Sequence, residues 1–203
     1  MVANSKDTYS LFGRNSECSL ANVMMEGMKH YVAVIGPGDC RSESELVAAR
    51  TIGRLLAEQG IVVITGGLGG VMAAAAEGAE QAGGLSVGLL PGRERSAGNE
   101  HLSVAIPTGL GELRNGLVIQ SCDAVIAVGC SWGTLSELSL AMRMGIPAVS
   151  LGSCEVTDAE GIAMSVERAQ TAEQAVEKVM TYLNLTVKVN KSQDFESGGS
   201  QFT

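Results

Sequence analysis

The chain has 203 residues, 45% of them hydrophobic but only 3% aromatic, with 26 glycines. That length can bury a sizeable single core, and the glycine-rich, aromatic-poor balance suits α/β layers packed through small side chains. A net charge of −8 with scattered arginines argues against nucleic acid as a partner, and no lysine lies between Tyr31 and Glu177 to build a Walker-type phosphate loop or hold pyridoxal phosphate.

Residues 1–29 carry no clear apolar period and read as a flexible N-terminal extension. Residues 31–35 form the first predicted strand, and Gly36-Pro37-Gly38-Asp39 turns away from it. Ser42 with Glu45 fits a capping box for a helix that ends at Gly60. Residues 61–64 form a second strand, followed by the turn Thr65-Gly66-Gly67-Leu68-Gly69-Gly70 and an alanine-rich helix over 71–82. A third strand spans 85–90. A polar loop over 91–100 carries Arg93, Arg95 and Asn99, and a short strand follows around 103–106. Thr108-Gly109-Leu110-Gly111 leads into a helix holding Arg114 and Asn115. The unbroken apolar run 124–128 is a strand buried on both faces. A glycine-bearing turn, 129–133, then opens a helix near Thr134, and 146–150 is the next strand. After a loop, 171–183 keeps helical spacing through Ala175, Val176, Val179 and Leu183. From about Thr186 the composition turns polar and predicts a disordered tail.

Strands alternating with helices of this length predict a Rossmann-like α/β fold. Its sheet is doubly wound and mainly parallel, with helices on both faces and a single domain over residues 30–185. Ligands in such sheets sit at the strand carboxyl ends, where the strand order switches. Both glycine turns fall there. Either could be a plain strand-to-helix turn, and Thr65–Gly70 is GGxGG rather than the GxGxxG dinucleotide fingerprint. Bare glycine backbone nevertheless lets a phosphate approach closely, and helix N-termini attract anions. With Arg114 and Asn115, three loops would converge amides, a hydroxyl, a guanidinium and the Glu137 carboxylate.

Other residue types narrow the chemistry. Only His30 and His101 are present, which gives a serine–histidine triad little support, and no metal-ligand spacing occurs. Cys18, Cys40, Cys122, Cys130 and Cys154 form no CxxC pair and read as free thiols in a reducing compartment. Cys130 lacks a histidine partner and reads as structural. Trp132 either stacks on a ligand ring or packs. No leader pattern opens the chain and no apolar run of membrane-spanning length is free of glycines, so a cytoplasmic protein without a membrane partner is expected. On the helix from Thr134, Leu135, Leu138, Ala141 and Met142 form a stripe that can cover the sheet. Leu140 and Met144 lie on another side, so the helix needs burial twice over and self-association is expected.

Thr65-Gly-Gly-Leu-Gly-Gly-Val-Met72 resembles the GGGxxGLMG segment of the LOG ("Lonely Guy") family, and Gly129-Cys-Ser-Trp-Gly-Thr-Leu-Ser-Glu137 resembles its PGGxGTxxE. The whole pattern over roughly 31–183, with Asn115 beside Arg114 and Leu89-Leu90-Pro91-Gly92, is most similar to a sister branch. That branch contains the molybdenum-cofactor carrier proteins. By position, the resemblance implies catalytic roles for Arg114 and Glu137. It also implies ligand or phosphate contacts from Gly36, Thr65, Gly66, Gly67, Gly69, Gly70, Asn115, Gly129, Ser131, Trp132, Gly133 and Thr134, with no metal ligand. It implies dimers or higher homo-oligomers as well. Gly129, Cys130 and Ser131 replace the family's Pro-Gly-Gly, and Asn115 replaces the lysine usual after the arginine.

Two functions are therefore expected in turn. In the first, the protein binds a phosphorylated nucleotide-like ligand, a nucleotide or a molybdopterin-type molecule, as a carrier, with no required cofactor. In the second it is a LOG-type phosphoribohydrolase. Such an enzyme cleaves the N-glycosidic bond of a nucleoside 5′-monophosphate, with Glu137 stabilising an oxocarbenium-like state and Arg114 clamping phosphate or ribose. Lysine decarboxylation is not expected of either.

Overall fold

The structure, a computed structural model, describes residues 29–152, 154, 157, 159–160 and 166–185. The extension expected over 1–29, but for Lys29, and the tail expected over 186–203 lie outside the described residues. Among the described residues, seven parallel strands form one sheet: β1 (Tyr31–Ile35), β2 (Val62–Thr65), β3 (Ser86–Leu90), β4 (Val104–Pro107), β5 (Ala124–Val128), β6 (Ala148–Leu151) and β7 (Glu167–Arg168). Their order is β4-β3-β2-β1-β5-β6-β7, so the direction of winding reverses between β1 and β5. Five α-helices accompany them: α1 (Glu43–Glu58), α2 (Val71–Gln81), α3 (Asn115–Gln120), α4 (Trp132–Met144) and α5 (Ala172–Tyr182).

Strand side chains alternate between two cores, as the period of two demands. Val32, Val34, Val63, Ile126, Val128 and Val149 pack with α1, α2 and α5 on one face. Ala33, Ile35, Val62, Ile64, Val125 and Ala127 pack with Val118, Ile119, Leu138 and Ala141 of α3 and α4 on the other. The three-layer, doubly wound α/β architecture read from the sequence is what the chain adopts. No described helix is long and apolar enough to cross a membrane.

Helices α1 and α2 approach to backbone contact. A Cβ on Gly53 would lie 2.0 Å from the Ala75 carbonyl oxygen, and one on Gly78 1.9 Å from that of Arg50. The pair is tied at its rim by Arg50 Nε and Glu77 Oε2 at 2.8 Å. Ser42 caps α1 as expected, its Oγ accepting from the Glu45 N–H. The Glu45 side chain does not close the box and instead accepts from the Cys40 thiol at 3.1 Å.

Several expectations shift. Helix α4 begins at Trp132, because Ser131 is its N-cap, rather than near Thr134. On α4, Leu138 and Ala141 are buried with Thr134 and Glu137, while Leu140 packs partly against the core. Met142, expected in the covering stripe, is exposed, since α4 rolls its Thr134/Glu137 edge toward the sheet. Arg114 closes a 3₁₀ turn (Gly111–Arg114) before α3 rather than lying within a helix. Strand β7, two polar edge residues, and the 3₁₀ turn Arg95–Ala97 fall where loops were expected.

Candidate functional site

The turns after β1, β2 and β5 all leave the sheet at its carboxyl rim, around the point where the strand order reverses. That is where an open α/β sheet leaves a crevice. Gly36 packs between the Val128 carbonyl and the Val71 side chain, so it joins β1, β5 and α2 at close quarters.

The β2 turn is held by its own neighbours. The Thr65 hydroxyl, fully buried, accepts from the Gly67 N–H at 3.0 Å. Asn99 Nδ2 donates to the Gly67 and Leu68 carbonyls at 3.2 and 2.9 Å, and the Asn99 N–H donates to Gly67 O at 3.0 Å. The Val71 N–H at the start of α2 donates to Pro37 O at 3.1 Å. Gly69 and Gly70 pack against the Gly38 and Pro37 carbonyls. The Gly67 and Val71 amides are thus already engaged, and that part of the turn is a scaffold. Asn99 clamps it from more than thirty residues away, a role no local signal revealed.

What the scaffold supports is Arg114. Its guanidinium lies against Gly66 so closely that a Cβ there would be 2.1 Å from Nη1 and 2.7 Å from Cζ. Arg114 is 7% exposed and Glu137, one turn into α4, is 6% exposed. Arg114 Nη1 stands 3.9 Å from Glu137 Oε1, an ion pair too long for a hydrogen bond. Arg114 Nε is buried without a hydrogen-bond partner among the described residues. An unmet buried donor costs on the order of 1–3 kcal/mol, more for a charged group, so a ligand that satisfied it would recover that cost. Beside the pair, buried Asn115 donates from Nδ2 to Ser136 Oγ at 3.1 Å, and Ser136 Oγ donates to Gly133 O at 2.8 Å.

Burial dominates the electrostatics. It pushes Glu137 up to about 7, against the pull of Arg114 and with a further push from the Glu112 carboxylate. It also draws Arg114 down, while Glu137 and Glu112 hold it up. Glu137 therefore exchanges its proton near neutral pH, which suits either a general acid–base role or a neutral neighbour for a bound anion.

The third turn presents the start of α4. Ser131 Oγ accepts from the Thr134 N–H at 3.1 Å and lies 2.9 Å from Thr134 Oγ1, so Thr134 is engaged by the cap. A helix leaves its first-turn donors without intrahelical acceptors, and here those are the amides of Trp132 and Gly133. The Trp132 side chain is 87% exposed and packs on little. Gly129 has φ +66°, donates its N–H to Leu151 O at 3.2 Å and has the Glu45 carboxylate where a Cβ would stand, 2.6 Å away. Arg93 and Arg95 are both exposed.

The expectation of free thiols fails at one pair. Cys130 and Cys154 form a disulfide, with Cα atoms 4.9 Å apart. β5 and β6 are parallel neighbours, and the chain leaves both at the same rim, which brings together cysteines 24 apart in sequence. CxxC spacing is not needed when the sheet supplies the proximity. Cys40 and Cys122 are free among the described residues.

Residues 29–183 match the SLOG cluster4 family. An uncharacterised protein of Archaeoglobus fulgidus is 44% identical over 120 residues, 59% of this chain and 78% of that one. Two solved structures superpose closely. The molybdenum cofactor binding protein of the phototrophic bacterium Rippkaea orientalis has a TM-score of 0.70 and 33% identity, over 77% of this chain and 99% of that one. The molybdenum cofactor carrier protein of Chlamydomonas reinhardtii has a TM-score of 0.67 and 31% identity, over 77% and 99%. The resemblance drawn from the two glycine turns holds for the LOG-like superfamily and for its carrier-protein branch.

Proposed function

The chain belongs to the SLOG cluster4 family, and from that premise we propose that it binds a phosphorylated, nucleotide-like small molecule in the crevice between β1 and β5 and acts as its carrier. A molybdopterin-type molecule is the leading cargo, because two proteins similar to this chain over 77% of its length are a molybdenum cofactor binding protein and a molybdenum cofactor carrier protein. The observation that carries the reading is Arg114, a buried guanidinium whose Nε donor is unmet among the described residues and whose ion pair with Glu137, at 3.9 Å, is too long for a hydrogen bond. Its remaining donors and the first-turn amides of α4 suit a phosphate. Such a cargo would be gripped through that phosphate, with Gly66 keeping the guanidinium in place. Glu137, pushed up to about 7 by burial, would carry only about half a charge at pH 7 and so repel the anion less than an ordinary carboxylate.

One observation favours a second reading. A buried carboxylate titrating near 7 beside a guanidinium is also the equipment of a nucleoside 5′-monophosphate phosphoribohydrolase, in which Glu137 would stabilise the transition state and orient water. The same experiments separate the two. Mass spectrometry of the small molecule that copurifies with the protein is expected to show a phosphorylated pterin or nucleotide. The unmodified protein is expected to release no free base from AMP. Arg114→Ala is expected to lose the ligand, and Glu137→Gln to keep or tighten it by removing a negative charge near an anion. Base release from AMP by the wild type, abolished in Glu137→Gln with binding intact, would establish the hydrolase instead.

A further inference from the structure

The Cys130–Cys154 disulfide sits directly on the third turn. Cys130 lies between Gly129, whose N–H is tied to Leu151 O, and Ser131, the N-cap of α4. Cys154 Sγ lies 3.8 Å from the Ser131 carbonyl oxygen. The turn is thus anchored to the exit of β6 by one backbone hydrogen bond and one covalent bond. Glu45 presses on its other side at Gly129. Cys130 is exposed, so a reductant can reach its sulfur.

We propose that this disulfide is a redox latch on the ligand turn, holding Gly129, Cys130 and Ser131 in the binding shape while oxidised and releasing them when a dithiol reduces it. In the step, a thiolate of the dithiol attacks Cys130 Sγ. The S–S bond breaks, a mixed disulfide forms, and Cys154 leaves as a thiolate that takes up a proton. The reductant's second thiol then closes on its first, expelling Cys130 as a thiol. Two electrons and two protons pass to the protein, and the dithiol leaves as a disulfide. Cys40, a free thiol among the described residues, donates to Oε2 of the same Glu45 at 3.1 Å, and burial together with that carboxylate raises its pKa. It stays protonated at neutral pH and does not compete for the bond. With the latch open, the covalent tie is gone, and among the described residues the Gly129 N–H bond and the weak contact of the Cys154 thiol with Ser131 O remain. The turn must then be ordered again whenever a ligand binds, which weakens affinity.

The effect on ligand rests on the proposed anion site, whereas the latch does not, and the test keeps them apart. Thiol alkylation with mass spectrometry on the full chain purified in air should find Cys130 and Cys154 joined, and dithiothreitol should open that pair. Hydrogen exchange of the amides from Cys130 to Leu135 should speed about tenfold or more on reduction, and in Cys130→Ser/Cys154→Ser without any reductant. Unchanged exchange, or free thiols at both positions after aerobic purification, would overturn the latch. AMP and inorganic phosphate should bind about tenfold more weakly to the reduced protein, a change of about 1.4 kcal/mol. Equal affinity in both states, with Arg114→Ala still abolishing binding, would refute the regulation and leave the site standing. Faster exchange on reduction, with neither probe binding in either state, would uphold the latch and reject the anion site for these ligands.

Discussion

Gly66 and Arg114 show how a backbone position can set a buried side chain. Gly66 has no positive φ that would demand glycine, and the three atoms nearest to an added methyl all belong to the Arg114 guanidinium, the first of them at 2.1 Å. Gly66→Ala is therefore expected to leave the fold intact, displace Arg114 and reduce phosphate or AMP affinity nearly as much as Arg114→Ala. The double variant should be no weaker than either single one, a non-additivity that calorimetric titration of all three would reveal. Glu137 carries a pH signature in stability. Its pKa rises from 4.5 unfolded to about 7 folded, so the folded state binds the extra proton between those values. Stability is accordingly favoured at low pH and lost as pH climbs from about 4.5 to 7. Glu137→Gln should remove that slope and raise Tm at pH 8, by up to about 3 kcal/mol in stability. Thermal melts from pH 5 to 8 with parallel slopes for both proteins would rule this out. The pairing of Arg114 with Glu137 was legible from the order of motifs. The spacing between them was not, because a 3₁₀ turn rather than a helix delivers Arg114, and the Asn99 clamp spans a separation no local pattern records.

At the scale of elements, the strands read best where burial is two-sided. β1 and β5 occupy the centre of the sheet, so their apolar runs are unbroken and their bounds match residue for residue. β7 is short, polar and at the edge, and nothing in Glu167–Arg168 distinguishes it from a loop. Helix α4 starts two residues earlier than the sequence predicts, because Trp132 and Gly133 resemble turn residues while the cap comes from Ser131. That cap has a measurable consequence. Ser131→Ala removes the acceptor of the Thr134 N–H and should cost about 1 kcal/mol of stability, read as a lowered denaturant midpoint with an unchanged slope. The disulfide was illegible for a related reason. Cys130 and Cys154 meet only because β5 and β6 are neighbours, and strand adjacency is a property of the assembled sheet.

For the whole molecule, exposed apolar surface gathers on the layer formed by α3, α4 and the turn before α3. Leu113 is 80% and Trp132 87% exposed, and Leu110, Leu117, Met142 and Met144 are each more than a third exposed. All belong to the 3₁₀ turn before α3, its approach, α3 itself or α4. Half of the large hydrophobic residues exposed among the described residues thus gather on the layer that also supplies Arg114 and Glu137. Scattered apolar residues need no explanation, but a concentration on two adjacent helices signals a surface that is covered in solution. A second copy of the chain is the natural cover. A two-fold axis beside α4 would set the same patch against itself, the self-complementary arrangement most homodimers use. The chain is therefore expected to run as a dimer or larger assembly at micromolar concentration in size-exclusion chromatography with light scattering. Leu113→Glu with Met144→Glu places charges in the patch without touching Arg114 or Glu137, and should shift the assembly toward a monomer that keeps its fold by circular dichroism. A wild-type chain of monomer mass at those concentrations would refute self-association. An unchanged assembly in the double variant would instead move the interface away from α3 and α4.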